Sequence, residues 1–210
     1  MRNVLNSGLD NRSGLKALRG ELRAARRQLS AKQQRMVARS VGRYLQCDPI
    51  YQRASRVGIY LANDGEVDLS AAVFSPGKAP KTFYLPLLSD ALRPWEPTRL
   101  LFQDYDPVRS TLIKNRYGID EPAYAPGAVL AASMLDVVLL PLVGFDRRGN
   151  RLGMGKGYYD RTFANSGIRW RQPTLLGVAH SLQEVEQLPD TTWDVPLDGI
   201  VTEAGLVWWR

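Results

Sequence analysis

The chain has 210 residues, 44% of them hydrophobic, and a formal net charge of +7. That length can bury a substantial core and fits one domain better than two, while the longest apolar run, residues 137–143, is interrupted by Pro141 and too short to cross a bilayer. Cys47 is the only cysteine and His180 the only histidine, which excludes an internal disulfide and a Cys/His zinc cluster and makes a reducing cytoplasm the expected compartment.

The first residues, "MRNVLNSGLDNRSG", are polar and glycine-punctuated and lack the apolar region and small-residue cleavage site of a secretory signal. Residues 1–14 are therefore expected to be a flexible extension ahead of a single domain over 15–210. In "GLKALRGELRAARRQLS", Leu15, Leu18, Leu22, Ala25 and Leu29 recur at three- and four-residue steps, the period of an amphipathic helix. Arg19, Arg23, Arg26 and Arg27 fall on its other sides and read as a mostly solvated face. Ser30 followed by Gln33 is a capping box, so a second helix is expected over 31–45, burying Met36, Val37, Val41 and Leu45. Between Arg12 and Arg43 stand ten Lys or Arg against one acid, Glu21, so the positive charge belongs to these two helices and not to the rest of the chain.

Beyond them come short β-rich runs at 56–61, 82–88, 99–105, 135–145, 174–180 and 197–203, most bounded by Gly, Pro, Asp or Asn. Helix-length stretches at 66–75 and 156–166 lie between some of them. Near-continuous apolar strands alternating with helices predict a sheet covered on both faces, a three-layer α/β/α open sheet in one domain with two basic N-terminal helices. Ligands of such sheets sit beyond the carboxyl ends of the strands, where loops lead into helices.

One stretch falls at such a place. "GNRLGMGKGYYDR", residues 149–161, follows the strand ending at Phe145 and should open into a helix near Gly157. Gly153, Gly155 and Gly157 alternate with Met154 and Lys156, so the backbone can take positive φ and present bare N–H groups to an anion. Phosphate suits that arrangement: Lys156 adds a mobile cation, Arg151 a bidentate fork, and Asp160 a hard oxygen ligand for a magnesium ion bridging the phosphates. The spacing is neither a P-loop, lacking its GK[ST] ending, nor the G-x-G-x-x-G of dinucleotide folds, and many glycine-rich turns bind nothing.

"FDRRGNRLGMGKGYYDR" resembles the signature of the 5-formyltetrahydrofolate cyclo-ligases, or methenyltetrahydrofolate synthetases. "LRGELRAARRQLS", "IYLANDGEVDL", "NRYGIDEP" and "LPDTTWDVPLDGIVT" extend the resemblance from about Leu15 to Thr202. It implies an ATP-dependent closure of 5-formyltetrahydrofolate to 5,10-methenyltetrahydrofolate. On this resemblance ATP lies against Arg19, Arg151, Gly153, Met154, Gly155, Lys156, Gly157, Tyr158 and Tyr159, with Asp160 and Asp194 as magnesium ligands. Leu61 and Glu66 fall where the folate is held, and Tyr158 where nucleotide and folate meet; Lys156, Arg151 and Tyr158 form the catalytic set. Where the family often carries a lysine four residues before the helix-one arginine, this chain has Leu15 with Lys16 beside it, about 100° further round the helix, so Lys16 is the candidate ATP ligand there.

Simpler readings remain open for several of these positions. Asp194 before "VP" could cap a turn, Glu66 could be a first-turn acid, Leu61 core and one of the two tyrosines packing; His180, without a nucleophile or metal partner, reads as a satisfied structural histidine. Two other functions compete: a kinase of another small molecule, and a nucleic-acid-binding protein using the basic helices. The expectation is a monomer acting on small molecules, without nucleic acid or membrane.

Overall fold

The computed structural model describes residues 10–73, 79–89, 99–164, 172–189 and 194–209. Two long helices come first, α1 (Asp10–Arg27) and α2 (Ala31–Cys47), then α3 (Pro49–Arg53) and the first strand, β1 (Arg56–Gly58). Helix α1 starts at Asp10, so residues 10–14 are helical and not part of a flexible extension; residues 1–9 of that expected extension lie outside the described residues. The Ser30–Gln33 capping box forms, with the Ser30 N–H donating to the Gln33 Oε1 at 2.9 Å.

A short helix, α4 (Ser70–Val73), precedes β2 (Thr82–Leu88), β3 (Leu100–Tyr105), β4 (Leu112–Lys114), β5 (Asp120–Pro122) and β6 (Val129–Leu130). Next come β7 (Val137–Pro141), β8 (Gly144–Phe145), β9 (Arg151–Leu152), helix α5 (Tyr158–Phe163), β10 (Thr174–Val178), β11 (Gly199–Thr202) and β12 (Gly205–Trp208). The main sheet has the order β12-β11-β10-β7-β1-β2-β3-β6. Its five inner strands from β11 to β2 are parallel; β12, β3 and β6 join antiparallel at the two edges.

Strand alternation divides the core. Val137, Leu139, Leu176 and Val178 point to one face, where Val37, Val41 and Leu45 of α2 and Tyr51 of α3 cover them. Val138, Leu140 and Leu175 point to the other, against Phe163 of α5. Both faces of β7 are thus buried, which is why "VVLL" shows no polar alternation. The α/β architecture follows the expectation. Met36 does not: it is 59% exposed, because the buried stripe of α2 runs Val37–Val41–Leu45 at four-residue steps and Met36 is turned about 100° from it.

Strand order reverses at one point. From β1 the chain proceeds to β2 on one side, whereas β7, β10 and β11 extend from the other side. The crevice at such a switch lies beyond the carboxyl ends of β1 and β7. Helix α1 packs there, its Leu22 against Val143, Leu152 and Leu188.

Candidate active site

The chain leaving β1 makes a tight turn at residues 63–66. Asp64 has φ 55° and Gly65 φ 76°, and the Glu66 N–H donates to the Asn63 carbonyl at 3.0 Å. A positive φ is uncommon outside glycine, and Asp tolerates it better than most residues. Three arginines of α1 hold this turn. Arg23 Nε donates to Asp64 Oδ2 at 2.6 Å, Arg27 pairs with Asp64 Oδ1, and Arg26, fully buried, donates to Asp64 Oδ2 at 2.9 Å and to the Asp64 carbonyl at 2.7 Å. The other Arg26 nitrogen donates to the Leu142 carbonyl at 3.1 Å, just beyond β7, so one guanidinium ties the ends of β1 and β7 together across the switch point. Burial alone would raise the Asp64 carboxyl, but the hydrogen bonds from Arg23, Arg27 and Arg26 win and hold it below its ordinary range.

Glu66 sits behind this cluster. Its Oε2 accepts from the Asn63 N–H at 3.1 Å and its Oε1 lies 3.5 Å from Arg26. Burial pushes its carboxyl up, opposed by Arg26 and the Asn63 N–H. Tyr60 and Tyr159 face it closely enough for its charge to add to the effect of burial on their phenols, both held well above the ordinary range. His180, fully buried, contributes Nε2 to the Gly65 carbonyl at 3.0 Å, while its Nδ1 has no hydrogen-bond partner among the described residues, so the histidine expected to be satisfied is satisfied at one nitrogen only.

Across the crevice the β8–β9 hairpin delivers residues 153–157. Gly155 has φ 85° and Gly157 φ 64°, and Gly157 caps α5, as the sequence suggests. Arg19 Nε donates to the Gly153 carbonyl at 2.9 Å, fixing this loop to α1. Arg19 is lowered by partial burial and raised by Asp194, which places the Asp194 carboxylate within its field. Met154, Gly155 and Lys156 are exposed at the mouth. Lys16, about one turn before Arg19, is exposed on α1, and Leu61 packs partly buried against the core.

Arg151 is not free in the mouth. Its side chain is 5% exposed, pairs with Asp160 Oδ1, and donates to the Val195 carbonyl at 2.5 Å. Val195 N–H also donates to Asp160 Oδ1 at 3.3 Å, which brings Asp194, its exposed neighbour, beside Asp160. Two carboxylates are too few to cage a cation alone, and the described residues hold no group of three His, Cys, Asp or Glu suited to one. Their hard oxygens do fit a magnesium ion that takes its remaining ligands from phosphates and water, the usual arrangement for Mg²⁺ in nucleotide sites.

The turn between β4 and β5 lies in "NRYGIDEP", which carries part of the family resemblance but no expected site residue, yet that turn borders the site. Tyr117 and Tyr158 hydroxyls meet at 2.5 Å, Arg116 donates to Tyr158 Oη at 3.2 Å, and Lys156 Nζ lies 5.3 Å from the centre of the Tyr117 ring. The hydrogen bond to Tyr158, with Arg116 and Lys156, draws the Tyr117 phenol below its ordinary range. Arg26 and Asp64 escaped as well. A signal existed for Arg26: it stands four residues after Leu22, on the buried stripe of α1.

A carboxylate turn and a glycine loop, both tied to α1 near the switch point of a parallel sheet, fit the place where α/β enzymes bind small molecules. A profile of the 5-formyltetrahydrofolate cyclo-ligase family matches residues 11–203, and the chain belongs to that family. It is 39% identical over 188 residues to 5-formyltetrahydrofolate cyclo-ligase of Escherichia coli K12, covering 90% of this chain and 100% of that protein. The Haemophilus influenzae protein of the same name is 38% identical over 187 residues, covering 88% of this chain and 95% of its own length. The fold also superposes on the NMR structure of Aquifex aeolicus 5,10-methenyltetrahydrofolate synthetase with a TM-score of 0.74 at 31% identity, over 93% of each chain. The protein is accordingly a ligase of folate metabolism, a class of enzyme that draws on ATP.

Proposed function

We propose that this chain closes 5-formyltetrahydrofolate to 5,10-methenyltetrahydrofolate with conversion of ATP to ADP and phosphate. The observation that carries this reading is the Arg19–Gly153 hydrogen bond, which joins α1, the glycine loop and the field of Asp194. A formamide carbon is a poor electrophile and its oxygen a poor leaving group. Transfer of the γ-phosphoryl group to the formyl oxygen makes that oxygen a leaving group; the neighbouring N–H nitrogen then attacks the formyl carbon, and the C–O bond breaks as phosphate departs, taking up the proton that the nitrogen loses. No side-chain nucleophile is needed, only positioning and charge stabilisation.

In this reading the backbone N–H groups of Gly153, Met154, Gly155 and Gly157 face the phosphates, with Lys156, Arg19 and Lys16 supplying positive charge. Arg151 acts chiefly by holding Asp160 and the Val195 carbonyl, which keeps the segment carrying Asp194 beside Asp160. Tyr158 and Tyr159 line the meeting point of nucleotide and folate. Leu61 supplies apolar contact, and Glu66 receives the adjacent amino and ring N–H donors of the pterin. Asp160 and Asp194 would hold magnesium, whose chemistry here is neutralisation of phosphate charge. No described helix is long and apolar enough to cross a membrane; a monomer in the cytoplasm, without nucleic acid, completes the reading. The test follows the near-ultraviolet absorbance of methenyltetrahydrofolate after mixing the protein with 5-formyltetrahydrofolate and Mg-ATP. ATP consumption without that absorbance would indicate another phosphoryl acceptor and overturn the assignment.

A further inference from the structure

The cluster of Arg23, Arg26 and Arg27 on Asp64 has no part in the chemistry above, yet three guanidinium groups converge there on one carboxylate, and Arg26 also reaches Glu66, the proposed acceptor for the substrate. Burying a guanidinium completely is costly unless its donors are satisfied and its charge is paired. Arg26 meets both conditions through four contacts, and all four lie at the exits of β1 and β7: the Asp64 carbonyl, Asp64 Oδ2, the Leu142 carbonyl and, at 3.5 Å, Glu66 Oε1. The turn is also pinned from two further elements. Gln34 of α2 donates to the Arg26 and Gly65 carbonyls at 3.1 and 3.4 Å, and His180 bonds the Gly65 carbonyl. A side chain at Gly65 would meet the Arg26 carbonyl at 3.2 Å, so turn and helix are in close contact.

We propose that Arg26 and Asp64 are positioning residues which fix the Glu66 carboxylate in the orientation that receives the donor edge of the substrate. The inference rests on the reading of Glu66 as the pterin acceptor. A carboxylate offers about four lone-pair directions. Asn63 N–H occupies one on Oε2 and Arg26 approaches one on Oε1, which leaves a lone pair on each oxygen, the pattern that two adjacent N–H donors require. Asp64 holds Arg26 at that distance; without it the guanidinium could close on Glu66 and take the lone pairs meant for substrate. The groups facing Glu66 are Arg23 and Arg26 from α1, Asp64 and the Asn63 N–H in its own turn, Tyr60 from the exit of β1 and Tyr159 from α5, with His180 on the neighbouring carbonyl.

Three variants test this: Asp64→Asn, which keeps size and tolerance of positive φ; Arg26→Gln; and Glu66→Gln as the reference. For each, KM for 5-formyltetrahydrofolate, KM for ATP, kcat, the pH profile of kcat/KM and the melting temperature are measured. Glu66→Gln should raise the folate KM roughly five- to a hundredfold, the range expected when a buried donor is left unpaired. Asp64→Asn and Arg26→Gln should raise it severalfold or more with the ATP KM unchanged. Because Asp64 raises and Arg26 lowers the Glu66 carboxyl, the acid limb of the folate kcat/KM profile should move to lower pH in Asp64→Asn and to higher pH in Arg26→Gln. A merely structural role would lower the melting temperature and the active fraction without these opposite shifts. If Arg26→Gln does not fold, Asp64→Asn alone decides. Normal folate KM and an unmoved limb in the folded variants, with Glu66→Gln impaired, would overturn the positioning role. Normal folate kinetics in Glu66→Gln would instead overturn the pterin reading itself.

Discussion

Asp160 and Asp194 share a proposed role but sit in different surroundings, and one pair of substitutions separates role from surroundings. Asp160→Asn removes the charge opposite Arg151, whose side chain is 5% exposed; Asp194→Asn changes an exposed residue. Removing one member of a fully buried ion pair costs about 3–5 kcal/mol, because the remaining charge is left uncompensated. Here the Asp160 carboxylate is 25% exposed, Arg151 keeps the Val195 carbonyl at 2.5 Å, and Asn retains one acceptor oxygen, so the cost should fall to about 2 kcal/mol. In a domain of this size each kcal/mol moves the melting temperature by about 2–4 °C, giving a drop of about 4–8 °C for Asp160→Asn in nucleotide-free protein and almost none for Asp194→Asn. Thermal melts monitored by circular dichroism read that difference. Magnesium titrations of the activity should show the opposite pattern of similarity: both variants need more of the cation, since each loses an anionic oxygen. A wild-type melting temperature for Asp160→Asn would refute the structural role assigned to its pair with Arg151. An unchanged magnesium requirement for Asp194→Asn would return that residue to turn capping.

Lys156→Ala should lower kcat at least about tenfold, since a charge-stabilising contact in a phosphoryl-transfer transition state is usually worth more than 1.4 kcal/mol; an unaltered kcat in steady-state assays removes Lys156 from the chemistry. Gly155→Ala meets only ordinary contact with Arg19, so its effect isolates the backbone: holding Ala at φ 85° costs about 1–2 kcal/mol, and relief by loop movement should raise the ATP KM roughly tenfold. An ATP KM equal to wild type would show that the loop need not keep this conformation. Burial lowers the pKa of His180, so its stabilising contribution is present above the unfolded value of about 6.5 and is lost as pH falls from there through the folded value, with a slope of at most about 1.4 kcal/mol per pH unit. As the chain's only histidine, it makes this testable: the wild-type stability loss between about pH 6.5 and 5 should flatten in His180→Gln, and identical curves would contradict it.

What the sequence revealed and what it hid divide along a physical line. Strand β2 at 82–88 and helix α2 behind its capping box were readable because their signals are local: an apolar run between breakers, and a Ser and a Gln three residues apart. The glycine loop was readable for the same reason, since alternating glycines declare a backbone need at their own positions. Strands β4, β5 and β9 have two or three residues each, too few for a period to appear, and β12 pairs only across the turn after β11. With the β4–β5 turn went Arg116 and Tyr117, whose place beside Lys156 and Tyr158 depends on tertiary packing between segments far apart in sequence. Tyr158, by contrast, is placed by the family resemblance.

Arg26 is the more instructive omission. Composition treats an arginine among arginines as part of a solvated face, yet of Arg19, Arg23, Arg26 and Arg27 only Arg27 is exposed, because a helix buries whatever stands on its inward stripe. The stripe of Leu15, Leu18 and Leu22 continues to Arg26, and burial there requires counter-charge and acceptors from elsewhere in the chain. The exits of β1 and β7 supply them because a parallel sheet with a switch point leaves carbonyls unpaired at those carboxyl ends, and the turn after β1 adds Asp64 at a φ that Asp can adopt. The basic first helix, which by charge alone suggested a polyanion surface, thus directs part of its charge inward: Arg26 to the turn that carries Glu66 and Arg19 to the loop that carries Lys156. Two side chains seven residues apart, about two helical turns, lie on the same side of α1 and reach the two halves of the crevice. That spacing explains why one helix can set the distance between the proposed substrate-binding carboxylate and the proposed phosphate loop, which leave the sheet from different strands.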